Sequence, residues 1–151
     1  TMDWVLAQAI DYANDRVQFG RPIGKNQAIQ QMLAQVAGDV ASARMALRAA
    51  ALDVRIGDAA RAAGAEFGVA AAKVRCGEAA THTAAVAHQV LGAIGFTREH
   101  ALHFATRRLW AWRASYGAEA WWARRLGQAA IRAGAAGFWP AMTQRRFDAT
   151  A

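Results

Sequence analysis

One apolar stripe constrains this chain more than any other feature. Ile29, Met32, Leu33, Val36, Val40, Ala43, Leu47, Ala51 and Val54 recur mostly at steps of three and four residues. That spacing lines one face of an α-helix, whereas a strand would turn every second residue inward. A helix this long must lay its stripe against further elements to hide it from water. Alanine makes up much of the 55% hydrophobic fraction and there are only two prolines, which favours helices over a sandwich or barrel. The expected class is all-α.

The rest of the chain supplies the partners. Met2 to Arg16 reads as a helix with Leu6, Ala9 and Ala13 on one face. The next ten residues, VQFGRPIGKN, hold two glycines and a proline and read as a loop, with Asn26 placed to cap the stripe helix. That helix is expected to stop at Gly57, with Asp58 capping its successor. A third helix should run to about Leu91, with Phe67, Ala70, Val74, Gly77, Thr81, Ala84 and His88 along one line. Its small residues permit close approach between helices. Gly92-Ala93-Ile94-Gly95 would end it, and Thr97 would cap a short helix from Arg98 to about Arg107. A last helix is expected from near Gly117 to about Ala133, followed by an irregular tail containing Pro140 and Arg145-Arg146-Phe147. Helices joined by short connections make a helical bundle, up-and-down in the main, over 1–133, with 134–151 as the tail.

Composition then excludes whole classes. A single cysteine, Cys76, allows neither a disulfide framework nor a thiolate cage. The 19 uncharged residues between Glu78 and Arg98 approach the length of a membrane span. They include His82, His88, Gln89 and three threonines, so a buried helix running into a glycine loop explains them better. The N-terminus lacks the basic region and cleavage site of a signal peptide, and a cytoplasmic location is expected. No Walker loop, nucleophile elbow or dinucleotide fingerprint occurs. Glu78 with His82 and Glu99 with His103 sit four apart, but the extra glutamates of a di-iron bundle are missing, so simple pairing along a helix face is expected.

The net charge of +7 asks for an acidic partner or a solvated surface, and 16 of the 18 basic residues are arginine. Two segments could use that charge. Residues 107–127 interleave arginines with Trp110, Trp112, Tyr116, Trp121 and Trp122, a mixture that single-stranded nucleic acid would suit. Core or oligomer interface is the commoner use of such aromatics, and no nucleic-acid partner is expected. The sharper segment is the loop, where Arg16 stands at a helix end beside Gln18-Phe19-Gly20-Arg21-Pro22-Ile23. A guanidinium there can hold a pyrophosphate.

Tyr12, Arg16 to Ile23, Gln27 and the later LAQVAGDVASARMALRAAA resemble the C-terminal helical domain of the acyl-CoA dehydrogenases. A second signature, His88-Gln89-Val90-Leu91-Gly92-Ala93-Ile94-Gly95-Phe96-Thr97, resembles that family's Q-x-L-G-G-x-G-F loop, and Arg107-Arg108 stands where the family has its R-D pair. The resemblance covers about residues 3 to 130. It implies a four-helix bundle that drives tetramer formation and helps to bind FAD. Arg16 would contact the FAD pyrophosphate, with Gln18, Phe19 and Gln27 beside it. Gln89, Gly92 and Ala93 would approach the same flavin from the neighbouring subunit. The implied reaction is oxidation of an acyl-CoA thioester between its α and β carbons, with electron-transfer flavoprotein or a similar acceptor taking the electrons.

The chain departs from that pattern at the base. The family's I-Y-E-G-T motif aligns with Ala114-Ser115-Tyr116-Gly117-Ala118, which puts Tyr116 at the position of the glutamate. Phenols ionise near pH 10, about six units above a glutamate, and are poor bases for a thioester α-proton. Glu119, one turn on beyond Gly117, is a weak candidate. The family's neighbouring threonine and glutamine fall on Ala118 and Ala120. The resemblance therefore implies a homo- or hetero-oligomer of subunits without their own base at the usual position, the base being supplied by an unlike partner subunit or carried on an earlier helix. Thr1 falls inside the family's first C-terminal helix, so the 151 residues are expected to be a fragment or isolated domain, inactive alone.

Overall fold

The computed structural model describes residues 1–55 and 59–144, with the backbone course alone for 55 and 59–64. Among the described residues five α-helices follow one another: α1 (Met2–Asp15), α2 (Gln27–Arg55), α3 (Ala59–Leu91), α4 (Leu102–Ala114) and α5 (Glu119–Gln144). The all-α class is thus the observed one. Between α1 and α2, a small antiparallel hairpin pairs β1 (Val17–Gln18) with β2 (Arg21–Pro22), and a 3₁₀ turn follows over Ile23–Lys25. The expected stop at Gly57, the cap at Asp58 and the segment Arg145-Arg146-Phe147 lie outside the described residues.

The chain forms two compact units, each built from two separate stretches of sequence. The first comprises Thr1–Ser42 and Glu78–Arg113. Its core gathers Val5, Ala9 and Ala13 of α1, Val36 and Val40 of α2, Ala80, Val86, Ala87, Val90 and Leu91 of α3, and Leu102, Ala105 and Leu109 of α4. Val5, Ala9 and Ala13 stand four apart and so share one face of α1, while Leu6, on the expected face, is half-buried beside them. Asn26 caps α2 as expected: its side-chain oxygen accepts the Ala28 N–H at 3.1 Å.

The second unit comprises Ala43–Gly77 and Ala114–Ala151, described as far as Gln144. It is held by small residues. Ala43, Ala50, Gly68, Ala70, Ala72 and Gly77 are buried. Here the stripe on α2 departs from the sequence reading. Leu47, Ala51 and Val54 are exposed and Ala50 is buried in their place. An alanine-rich segment carries apolar residues on every side, so its periodicity leaves the inward face open, and the small Ala50 packs closest.

Several boundaries also differ. α1 ends at Asp15, one residue early. Thr97 caps no helix; its N–H and hydroxyl both reach the Ile94 carbonyl, at 3.1 and 2.9 Å, and close the 3₁₀ turn Gly92–Phe96 instead. α4 begins at Leu102, whose N–H donates to His100 Nδ1 at 3.0 Å. It runs to Ala114 rather than Arg107 because nothing before Ser115 breaks it. α5 opens at Glu119 and is interrupted at Gly134, where φ is 68°; beyond it the backbone is helical again to Gln144 rather than irregular. No helix among the described residues is long and apolar enough to cross a membrane.

Candidate functional site

The loop after α1 is a built structure rather than a slack connection. Arg16 ends α1, its N–H donating to the Tyr12 carbonyl at 2.9 Å and its own carbonyl accepting the Ile23 N–H at 2.9 Å. Those two bonds fold the hairpin back on the helix end. Its two-residue turn is Phe19-Gly20, with φ of 52° and 79°. Positive φ at both positions is the pattern of a type I′ turn, which suits the strand twist and normally calls for Asn-Gly. A phenylalanine in that region is strained. It is also fully exposed, so no contact among the described residues repays the strain.

Charge collects around this turn. Arg16, Arg21 and Lys25 are exposed and make no ion pair among the described residues. Gln18 sits in β1 and Gln27 opens α2, both exposed. A cluster of uncommitted cations with amide side chains and a bared aromatic ring fits an anionic ligand that carries a flat ring system.

The second signature forms the corner from α3 to α4. Gly92 lies at φ 61° and starts the 3₁₀ turn; Gln89 and Ala93 are exposed, and Gly95 is buried. A Cβ at Gly95 would stand 3.1 Å from Leu102 Cδ2 and from Leu91 Cβ, so a side chain there would crowd both neighbours. His88, one residue before Gln89, holds the corner. Its Nε2 meets Thr106 Oγ1 at 3.0 Å, and its ring stacks on Phe96 at 4.3 Å. Burial pushes its imidazole below the usual histidine range. No hydrogen bond among the described residues joins the hairpin to this corner.

The segment aligned with the family's base belongs to the other unit. Tyr116 has φ 58° and is 94% exposed, and Gly117 has φ 92°. Lys73 donates to the Ser115 carbonyl at 2.8 Å and Trp122 Nε1 to the Tyr116 carbonyl at 3.1 Å. The turn is therefore pinned from α3 and from α5. A Cβ at Gly77 would meet Glu119 Oε2 at 2.9 Å, so that carboxylate is packed against α3.

The remaining candidates take structural roles. His82 Nδ1 meets Asp39 Oδ2 at 2.6 Å, linking α3 to α2 rather than pairing with Glu78 along its own helix. His103 Nδ1 reaches the His100 carbonyl at 2.8 Å rather than Glu99. Among the described residues no three metal-ligating side chains converge. Burial raises the Cys76 thiol pKa against the pull of Lys73 and Arg75. In the arginine–tryptophan stretch, Arg108, Arg113 and Arg125 lie over Trp112, Trp110 and Trp121 at 5.6, 4.7 and 4.9 Å, and Arg125 also pairs with Glu66. Trp110, Trp112 and Trp121 are exposed, which removes the core reading for them. Sequence reasoning passed over Gly24, His88 as a hub, and Lys73. A lysine among so many arginines was the one available signal for the last.

Comparison with known proteins bears on the whole segment. A family model described as "Acyl-CoA dehydrogenase, C-terminal domain" matches residues 1–131. The acyl-CoA dehydrogenase FadE34 of Mycobacterium tuberculosis is 40% identical over 138 residues, which are 85% of this chain and 18% of that protein. The glutaryl-CoA dehydrogenase of Desulfococcus multivorans is 43% identical over 98 residues, 63% of this chain and 23% of that one. The chain thus spans about a fifth of the length of these relatives. Among solved structures, the ChsE4–ChsE5 complex from Mycobacterium tuberculosis superposes with a TM-score of 0.77 at 29% identity, covering 89% of this chain and 35% of that chain. An FAD complex of PigA, at 24% identity and a TM-score of 0.72, shares the fold. The family match includes the arginine–tryptophan stretch, so a separate nucleic-acid module is not favoured.

Proposed function

The chain belongs to the acyl-CoA dehydrogenase family as its C-terminal domain, and from that premise we propose that it is the flavin-contacting and subunit-joining part of a longer cytoplasmic flavoenzyme. The observation that carries the reading is the hairpin at the end of α1, where a strained, fully exposed Phe19 stands beside the uncommitted cation Arg16. Arg16 would hold the FAD pyrophosphate through paired N–H donors, with Gln18, Phe19 and Gln27 beside it. Gln89, Gly92 and Ala93 would meet the flavin of a neighbouring subunit, in a dimer or tetramer of like or unlike chains. When bound, FAD supplies the hydride acceptor for α,β-oxidation of an acyl-CoA thioester, and electron-transfer flavoprotein or a similar acceptor relieves it of the electrons.

What this chain withholds matters equally. Tyr116 stands at the position of the usual base, and a phenol cannot take an α-proton efficiently near neutral pH. Glu119, the weak candidate, packs on Gly77. The subunit then contributes binding surface and relies on a base from a partner subunit or from residues upstream. The test is the visible spectrum of the full-length product, purified alone and with its neighbouring dehydrogenase-like subunit. A flavin band in the complex only supports a shared site. A band from the product alone, bleached by an acyl-CoA, places the base upstream. Absence of flavin from both leaves a structural bundle and ends the enzyme reading.

A further inference from the structure

We propose that His88 is a positioning residue that sets the conformation of the Gly92–Phe96 turn, acting through Thr106 on one side and the Phe96 ring on the other; this rests on the reading that the turn approaches a flavin. Two contacts meet in this one imidazole, and its remaining nitrogen is enclosed. Nε2 lies 3.0 Å from Thr106 Oγ1, which is buried in α4. The ring stacks on Phe96 with centroids 4.3 Å apart and planes 25° apart, although Phe96 is otherwise 72% exposed. Nδ1 is buried without a hydrogen-bond partner, 3.3 Å from where a Cβ of Gly95 would stand.

The proton inventory favours one tautomer. The Thr106 hydroxyl can donate to the His103 carbonyl at 3.5 Å, which leaves its oxygen to accept from His88 Nε2–H. Nδ1 then carries the lone pair and faces Gly95, where a bare lone pair is tolerated better than an N–H without an acceptor. Burial holds the ring neutral and so favours this arrangement. Thr106 anchors His88 to α4, and His88 in turn gives the exposed Phe96 its only ring contact recorded among the described residues. Gly92 and Ala93 lie in sequence between His88 and Phe96, the two stacked rings. Without this clamp, the turn would keep its glycines and lose what selects one conformation from the many they allow.

The experiment uses the full-length protein, with His88→Ala, Thr106→Val and a control, Val5→Ala, which thins the same core far from the turn in sequence. Amide exchange is read on the apoprotein, and FAD affinity by titration. His88→Ala should speed exchange across 92–96 and weaken FAD binding by about tenfold, the size expected when one hydrogen bond and one ring stack are lost. Thr106→Val should do the same to a smaller extent, while Val5→Ala lowers the melting temperature with the turn and the affinity unchanged. Unaltered exchange across 92–96 in His88→Ala overturns the inference, whatever the flavin does. Equal losses of affinity in His88→Ala and Val5→Ala also overturn it, since the role would then be structural only. If exchange responds as expected but the wild-type protein takes up no FAD, the flavin reading fails and the clamp on the turn stands.

Discussion

Gly24 lies so close to the carbonyl of Ala13 that a Cβ on residue 24 would stand 3.0 Å from that oxygen and 3.3 Å from its carbon. The 3₁₀ turn is thereby seated against the last turn of α1, and Gln30 Nε2 ties the same glycine's carbonyl to α2 at 2.9 Å. Both neighbours at Ala13 are backbone atoms and cannot turn aside. Gly24→Ala should therefore cost about 1–3 kcal/mol by overpacking and should also disturb the hairpin that carries Arg16. Gly38, inside α2, is the contrast, since nothing lies within 4 Å of a Cβ there. Gly38→Ala should stabilise the chain by roughly 0.5–1 kcal/mol through helix propensity. Urea unfolding of the two variants checks both signs.

Phe19 should prove better for binding than for stability. Phe19→Asn puts the preferred residue at the first centre of a type I′ turn and should add about 1 kcal/mol to stability. The same change should weaken flavin retention in the full-length protein. A variant that unfolds no later than the wild type would show that the turn is not strained.

Arg16 offers the opposite pattern. Its side chain is exposed and makes no ion pair among the described residues, so Arg16→Ala should move stability by no more than about 0.5 kcal/mol. Loss of a charge-assisted pair of hydrogen bonds should cost about tenfold or more in FAD affinity. Arg16→Lys should restore only part of it, because an ammonium lacks the planar fork. Flavin that binds equally well to Arg16→Ala counts against the pyrophosphate contact.

His88 makes stability depend on pH in a defined direction. Its folded pKa is lowered by burial, so the unfolded chain binds the proton more readily. The contribution of the neutral ring is complete above the unfolded value, near 6.5, and is lost as pH falls from there through the folded value. Denaturation midpoints measured from pH 7.5 downward should drop over that window, and His88→Ala should flatten that part of the profile.

Tyr116 should be dispensable for proton abstraction. In the assembled enzyme Tyr116→Phe should leave turnover within about twofold, since no base is removed, whereas loss of a true base would cost about 10²–10⁴-fold. A large loss in Tyr116→Phe would give the phenol a chemical role after all.

How much of this was legible in the sequence depends on side-chain size. Val36 and Val40 sit inside as the stripe on α2 requires, packed with the branched residues Val5, Val86 and Val90 in one core. Further along the same helix Leu47 and Val54 are exposed while Ala50 is buried, since close helix contacts favour the smallest residue. The two signatures were readable as motifs because glycine and proline punctuate them. What they hold in place was not. The seat of Gly24 on Ala13, the bond from Lys73 to Ser115 and the pairing of His82 with Asp39 join residues that local periodicity cannot relate. Glu119 illustrates the same limit: its spacing from Gly117 was visible, but its packing on Gly77 depends on where α3 passes.

The interleaving of the two compact units has a consequence for synthesis. The first unit needs Thr1–Ser42 and Glu78–Arg113, and the second begins inside that interval and resumes after it. Domains made of one continuous stretch can fold as they leave the ribosome, N-terminal part first. Here the first unit is complete only once Arg113 has emerged. A nascent chain stalled between Ala43 and Gly77 holds neither unit complete. A chaperone on the emerging chain would guard that interval, and no truncation within it leaves either unit whole.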